Sequence, residues 1–371
     1  MSRAASNTPL TKLPWLFGPR IDVLTFGGSC LLAFAFLGIG NYFGVLHDDT
    51  PDWTWVIAIL LIDVAHVYAT GFRVYFDPGE LRRRPWLYGL TPVLAFTVGW
   101  AFYSESSAMF WRCLAYLAVF HFIRQQYGWV ALYRRKANDH GAIGKWIDTA
   151  AIYLATVYPL VYWHSNLPRK FWWFQANDFA ELSLDLSVVL EPFYWISLVA
   201  YASRSFYRGF VAGQWNPGKD LVVSTTALCW YVGIIVFNSD YAFTVTNVII
   251  HGIPYLVLVY WYQQAAVSPD ATSDQTTDQR RTRMIWQLSR FVGLIWVLAY
   301  VEELVWDRGV WHEREWLFGS AWNFEGLETV IPPLLAVPQV THYVLDGFIW
   351  RRRSHHAVAR IGSSSNKITV H

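Results

Sequence analysis

Long apolar runs, each about the length a helix needs to cross a bilayer, alternate with short polar turns along nearly the whole chain. Scanning for stretches of roughly 20 apolar residues predicts helices at about 21–46, 53–76, 86–103, 108–133, 146–163, 186–208, 219–237, 241–265, 284–304 and 329–350. The expected fold class is therefore all-α, a polytopic integral membrane helical bundle of about ten transmembrane helices forming a single membrane domain over residues 1–371. The first run is too long for the apolar core of a cleavable signal peptide and lacks a small-residue cleavage site, so it is expected to stay as an anchor.

Charge gives this division a second, independent basis, because cytoplasmic loops carry the Lys and Arg excess. With the N-terminus inside, 22 of the 29 basic residues fall on the cytoplasmic side, clustered in 73–84, 134–145, 204–219, 280–283 and both termini. Arg112, Arg169, Lys170, Arg308 and Arg314 fall outside, and the outer turns read His47-Asp48-Asp49, Ser104-Glu105 and Asn238-Ser239-Asp240. Both termini are thus predicted to be cytoplasmic, in a bacterial inner membrane. The clusters Arg82-Arg83-Arg84, Arg134-Arg135-Lys136 and Arg351-Arg352-Arg353 read as topology signals touching anionic lipid, and give no case for a nucleic-acid partner.

The polar stretch 264–283 reads as a cytoplasmic linker between the first eight helices and the last two. The segment 302–328 mixes Glu302, Glu303, Asp307, Glu313 and Glu315 with Trp306, Trp311, Trp316 and Trp322, the pattern of an interfacial amphipathic stretch. Phe171-Trp172-Trp173-Phe174 suits the same role, and either stretch could instead cover the outer mouth of a site. Composition alters this picture little: 54% hydrophobic residues and a mean hydropathy of +0.24 are modest for a membrane protein. The 22 Trp and 21 Tyr explain that, since both favour the bilayer interface yet score poorly on most hydropathy scales. Cys30, Cys113 and Cys229 share no metal-type spacing and are read as packing residues, without disulfides.

Candidate chemistry enters with four histidines, His66, His121, His251 and His342, one in each of the second, fourth, eighth and tenth runs. All four runs go from outside to inside. Counted from the last outer acidic residue at about 1.5 Å per residue, the four imidazoles lie within roughly one and a half turns of a common depth. Each has polar companions at helical spacing: Asp63 for His66, Gln125 for His121, Asn247 and Tyr255 for His251, and Asp346 for His342. Ionisable groups at such depth cost on the order of 2.5–3.5 kcal/mol each on insertion scales, which favours a function over accident. The predicted metal ligands are His66, His121, His251 and His342, with Asp63 and Asp346 as further ligands or supporting partners. Gln125, Asn247, Tyr255 and Arg124 are the predicted substrate-binding residues. Read blandly, Asp63 pairs with His66, Asp346 with His342, and Arg124 with a carboxylate, simply holding helices together.

Imidazole with carboxylate suits iron, with zinc as the alternative, and open positions on such a metal carry oxygen-dependent chemistry. In plan, many helices with buried histidines, the chain resembles the polytopic histidine-rich membrane oxygenases: fatty-acid desaturases, membrane hydroxylases and bacterial carotene-cleaving dioxygenases. The clustered H-x-x-x-H and H-x-x-H-H boxes of the first two groups are absent from the apolar runs, and the adjacent pair His355-His356 lies in the basic tail. The expectation is a non-haem iron oxidoreductase (oxygenase, hydroxylase or desaturase-like) acting on a membrane-dissolved lipid or isoprenoid. With no flavin, covalent-haem or iron–sulfur motif, electrons are expected from an external donor protein. The alternatives are an intramembrane zinc hydrolase with Asp63 or Asp346 as general base, paired-histidine haem, and a proton-coupled transporter using Asp63, His66, Arg124 and Asp346 as a relay.

Overall fold

The structure, a computed structural model, describes residues 13–266 and 276–350. Its regular elements are all helical, with no strand among the described residues. The long ones are α1 (Pro19–Phe43), α2 (Asp52–Arg73), α3 (Pro85–Glu105), α4 (Ser107–Lys136), α5 (Ala142–Ser165), α6 (Ser187–Phe206), α7 (Pro217–Val236), α8 (Asp240–Gln264) and α9 (Asp278–Trp311). The chain continues through α10 (Ile331–Leu335) and α11 (Val337–Ile349). Part of the predicted linker 264–283 and the clusters after residue 350 lie outside the described residues.

Five of these helices, α1, α2, α7, α8 and α9, are both long and apolar enough to cross a membrane. Large apolar side chains project from the bundle, among them Leu24, Leu31, Val188, Phe210 and Val297. Such a surface in water would be an aggregation site, and it is what a protein in lipid presents.

Helix starts follow local chemistry. Ser106 caps α4 by accepting from the Met109 amide at 3.4 Å, Asn216 caps α7 by accepting from Lys219, and Ser239 caps α8 by accepting from Ala242. Pro85 and Pro217 sit at first helical positions, where a missing N–H costs nothing. The run predicted as one helix over 329–350 is two, broken at Ala336, because Pro338 lacks the amide and crowds the carbonyl four residues back. Other departures from the 3.6-residue pattern are wide turns with i→i+5 hydrogen bonds, among them Trp55–Val64 in α2 and Thr244–Val248 in α8.

Helix α8 is the centre of the bundle: 83% of its apolar window is buried, against 17% for α9 at the rim. It packs on α1, α2, α4 and α7, while α11 packs on α2, α3 and α4. Four helices thus close a ring in the order α2, α8, α4, α11. Gly252 permits the α2–α8 approach, since a Cβ there would lie 2.6 Å from Ile62 Cγ2.

The end of the bundle away from Asp52 is pinned by charge. Asp148, fully buried on α5, accepts from Arg134 of α4, from Lys219 of α7 at 2.8 Å and from Arg204 of α6 at 3.1 Å. Asp139 takes Arg204 at 2.7 Å and Arg208 at 3.1 Å. Burial works to raise the Asp139 carboxyl, and the Arg204, Arg134 and Arg208 guanidiniums overcome it and hold it below the usual range. Arg134 therefore does not lie on lipid as its cluster suggested. An arginine satisfied by a buried carboxylate no longer needs water. Arg73 is likewise fully buried, 3.3 Å from Glu80, with its Nη2 donating to the Ile349 carbonyl at 2.7 Å, which ties the end of α2 to the end of α11.

Candidate metal centre

His66 (α2), His121 (α4), His251 (α8) and His342 (α11) converge inside the ring of four helices, each 2% exposed or less. Nε2 of His66 is 3.1 Å from Nε2 of His251, and Nε2 of His121 is 3.1 Å from Nε2 of His342. Nitrogen atoms of His66, His121 and His251 all lie within 4.8 Å of one another.

The rings form a square in the same order as their helices. Successive centroids, His66 to His251 to His121 to His342 and back, are 4.7, 5.0, 4.6 and 4.8 Å apart, each pair steeply inclined. Across the diagonal, His66 and His121 are 6.3 Å apart and within 14° of parallel. Two nitrogens 3.1 Å apart are close enough for one ion, at about 2.0–2.1 Å from each, to be held by both.

For Nε2 to offer a lone pair, Nδ1 must carry the proton and needs an acceptor behind it. Nδ1 of His66 lies 3.4 Å from Asp63, and Nδ1 of His121 lies 3.6 Å from Asp346. The His342 Nδ1 is 2.6 Å from Thr70 Oγ1, which is 3.0 Å from the Tyr255 hydroxyl. His251 is held differently: Phe122 stacks flat on it at 3.5 Å and 8°, and Gln125 Nε2 donates to its backbone carbonyl at 2.8 Å. Tyr343 stacks on His121 at 4.9 Å.

The remaining predicted residues separate. Asp63 and Asp346 sit against Nδ1 atoms, behind the square, and Asp346 serves His121 and not its own neighbour His342. Trp350 Nε1 donates to the other Asp346 oxygen at 2.7 Å. Tyr255 and Gln125 touch the centre. Asn247 faces Gly233 of α7, donating to the Phe243 carbonyl and to Thr246, because it lies in the wide turn that shifts the helical phase before His251. Arg124 is exposed on the outer side of α4, where it donates to the Tyr153 hydroxyl and lies 5.0 Å over the Tyr127 ring.

Thr70, Phe122 and Tyr343 were not singled out by sequence. Phe122 and Tyr343 adjoin histidines in the chain and Thr70 follows His66 by four, so spacing offered a signal for them, masked by the abundance of aromatic and hydroxyl side chains. Glu302 and Glu303, expected at an interface, are buried at 5% and 7% exposure, as is Asp307. Trp306 and Gln339 donate to Glu302, at 3.3 and 3.4 Å.

A cavity of about 730 Å³ runs from loops at the Asp52 end of α2 inward to residues packed on the histidines, and none of the histidines lines it. Its mouth is formed by Asp49, Thr50, Gln175, Glu313 and Arg314, and its deep end by Asp63, Phe122, Glu303, Gln339 and Tyr343. Three of those deep residues, Asp63, Phe122 and Tyr343, directly touch His66, His251 and His121. Of the aromatic run expected to anchor at an interface, Phe171 is buried and Trp172, Trp173 and Phe174 line the cavity instead. Comparison with protein-family models, with curated proteins and with solved structures finds no match to this chain.

Proposed function

We propose that this chain is a multi-pass membrane oxidoreductase in which His66, His121, His251 and His342 hold one iron ion and present it to a lipid-soluble substrate. The observation that carries this reading is the square of imidazoles with Nε2 inward and Asp63, Asp346 and Thr70 behind the Nδ1 atoms. Neutral imidazoles backed by carboxylates would suit iron, with zinc as the alternative. When bound, such an ion supplies one-electron and oxygen chemistry. The chain's own residues do the rest: the carboxylates fix the tautomers of His66 and His121, Thr70 accepts from His342, and the aromatic walls exclude bulk water.

The membrane reading extends to about ten spans with both ends cytoplasmic. Helices α3, α4, α5 and α6, of 21, 30, 24 and 20 residues, are long enough to join the five apolar ones, and α10 with α11 forms a broken last span. Arg73, Arg134, Arg204 and Lys219 all lie at one end, which the positive-inside rule makes cytoplasmic. The cavity then opens on the outer face, and electrons come from a separate donor protein.

Metal content of the detergent-purified protein, read by mass spectrometry with its visible spectrum, tests the proposal. About one iron per chain without a Soret band, lost in His121→Ala, supports it. Stoichiometric zinc points to a hydrolase, copper keeps a redox role with a different ion, and no retained metal after reconstitution overturns the metal centre.

A further inference from the structure

The cavity that reaches Asp63, Phe122 and Tyr343, the residues packed on the histidines, has a chemistry of its own. Its lining carries five carboxylates, Asp49, Asp63, Asp240, Glu303 and Glu313, and one cation, Arg314. That cation is already engaged: it is 2.8 Å from Glu313, 3.5 Å from Asp52 and 4.0 Å over the Trp55 ring. Asp240 accepts from the Thr50 amide at 3.0 Å. Deeper in, the Oε1 of Gln339 is buried without a hydrogen bond, and Glu303, 7% exposed, lines the same space.

Around these acceptors stand π faces. Trp111, Trp306 and Trp311 form one wall, with centroids 5.8, 5.1 and 5.6 Å apart. Phe122, Trp173 and Phe243 form another, edge to face at 4.8 and 5.5 Å. Aromatic faces and carboxylates both attract cations, and neither offers anything to an anion.

We infer that this cavity binds a cation-headed amphiphile, an amine or quaternary ammonium, with its head between Glu303 and the tryptophan wall. This names the substrate class for the proposed histidine centre and builds on that reading, although the binding itself needs no metal. The volume, about 730 Å³, holds a head and a short chain. A cation at Glu303 also supplies the charge that favours the carboxylate form.

The test is titration of the purified protein in a neutral maltoside detergent with octyltrimethylammonium, octanol and octanoate, followed by tryptophan fluorescence, with metal content measured on the same samples. The ammonium is expected to bind at least about tenfold tighter than octanol, and octanoate weakest. Glu303→Gln is expected to bring the ammonium-to-octanol ratio within about twofold, while exposed Glu325→Gln leaves it unchanged. Octanol or octanoate binding as tightly as the ammonium to the wild type overturns the inference, whatever the Glu303 variant does. Preference for the ammonium in protein without metal sustains the inference and removes the histidine reading, and iron without that preference does the reverse.

Discussion

Asp346 follows His342 by one helical turn, yet its carboxylate lies 3.6 Å from Nδ1 of His121 on another helix. It therefore stands behind a proposed ligand across the interface between α4 and α11, and its removal would act on a bound metal without touching the Nε2 atoms. Asp346→Asn is expected to lower metal affinity by about 10–100-fold, the usual effect of losing such a partner. Chelator competition on the purified protein measures it, and affinity equal to wild type would remove Asp346 from the centre.

Thr70 Oγ1 lies 2.6 Å from Nδ1 of His342 and 3.0 Å from the Tyr255 hydroxyl, and in the proposed centre it accepts from that Nδ1. Thr70→Val keeps the shape and removes the hydroxyl, leaving the buried Nδ1–H unpaired at a cost of about 1–3 kcal/mol. The expected result is a lower unfolding temperature with weaker metal retention, whereas Thr70→Ser restores both. Equal loss in the Val and Ser variants would mean the methyl, and not the hydroxyl, matters.

Gly252, next to His251, faces Ile62 of α2 with no room for a Cβ. Gly252→Val is expected to push α2 from α8, widen the 3.1 Å contact between His66 and His251, and cost about 1–3 kcal/mol. Thermal unfolding in detergent and metal content report the two effects, and a variant that keeps both would show that the helices can repack.

Asp148 is buried among Arg134, Arg204 and Lys219. Asp148→Ala leaves three cations without their shared partner and is expected to destabilise the protein by about 3–5 kcal/mol. Folded yield and unfolding temperature measure this, and near-wild-type values would show that water or Asp139 replaces it.

Asp139 gives the pH dependence. Its carboxyl is held below the usual range when folded, so the unfolded chain binds the proton more readily. The stability it contributes is complete above the ordinary carboxylate range, about pH 4, and is lost as pH falls through the folded value. An acid unfolding midpoint is expected, shifted upward in pH by Arg204→Gln. An unchanged midpoint in that variant would detach Asp139 from the acid transition.

The sequence by itself determined the helical class, the presence of membrane-length apolar helices, the common depth of four histidines and the pairing of Asp63 with His66. These depend on local quantities: apolar run length, a rise of about 1.5 Å per residue, and the three-residue spacing that puts two side chains on one face. What the tertiary structure alone decided is the rotation of each helix about its axis and its choice of neighbours. Wide turns in α2 and α8 shift the helical phase, so Asn247 faces Gly233 although its spacing matched His251. The closing of α2, α8, α4 and α11 into a ring sends Asp346 to His121 and Thr70 to His342. Burial of Glu302, Glu303 and Arg134 follows the same rule, since a charged residue near a helix end reads as exposed until a neighbour arrives to enclose and satisfy it.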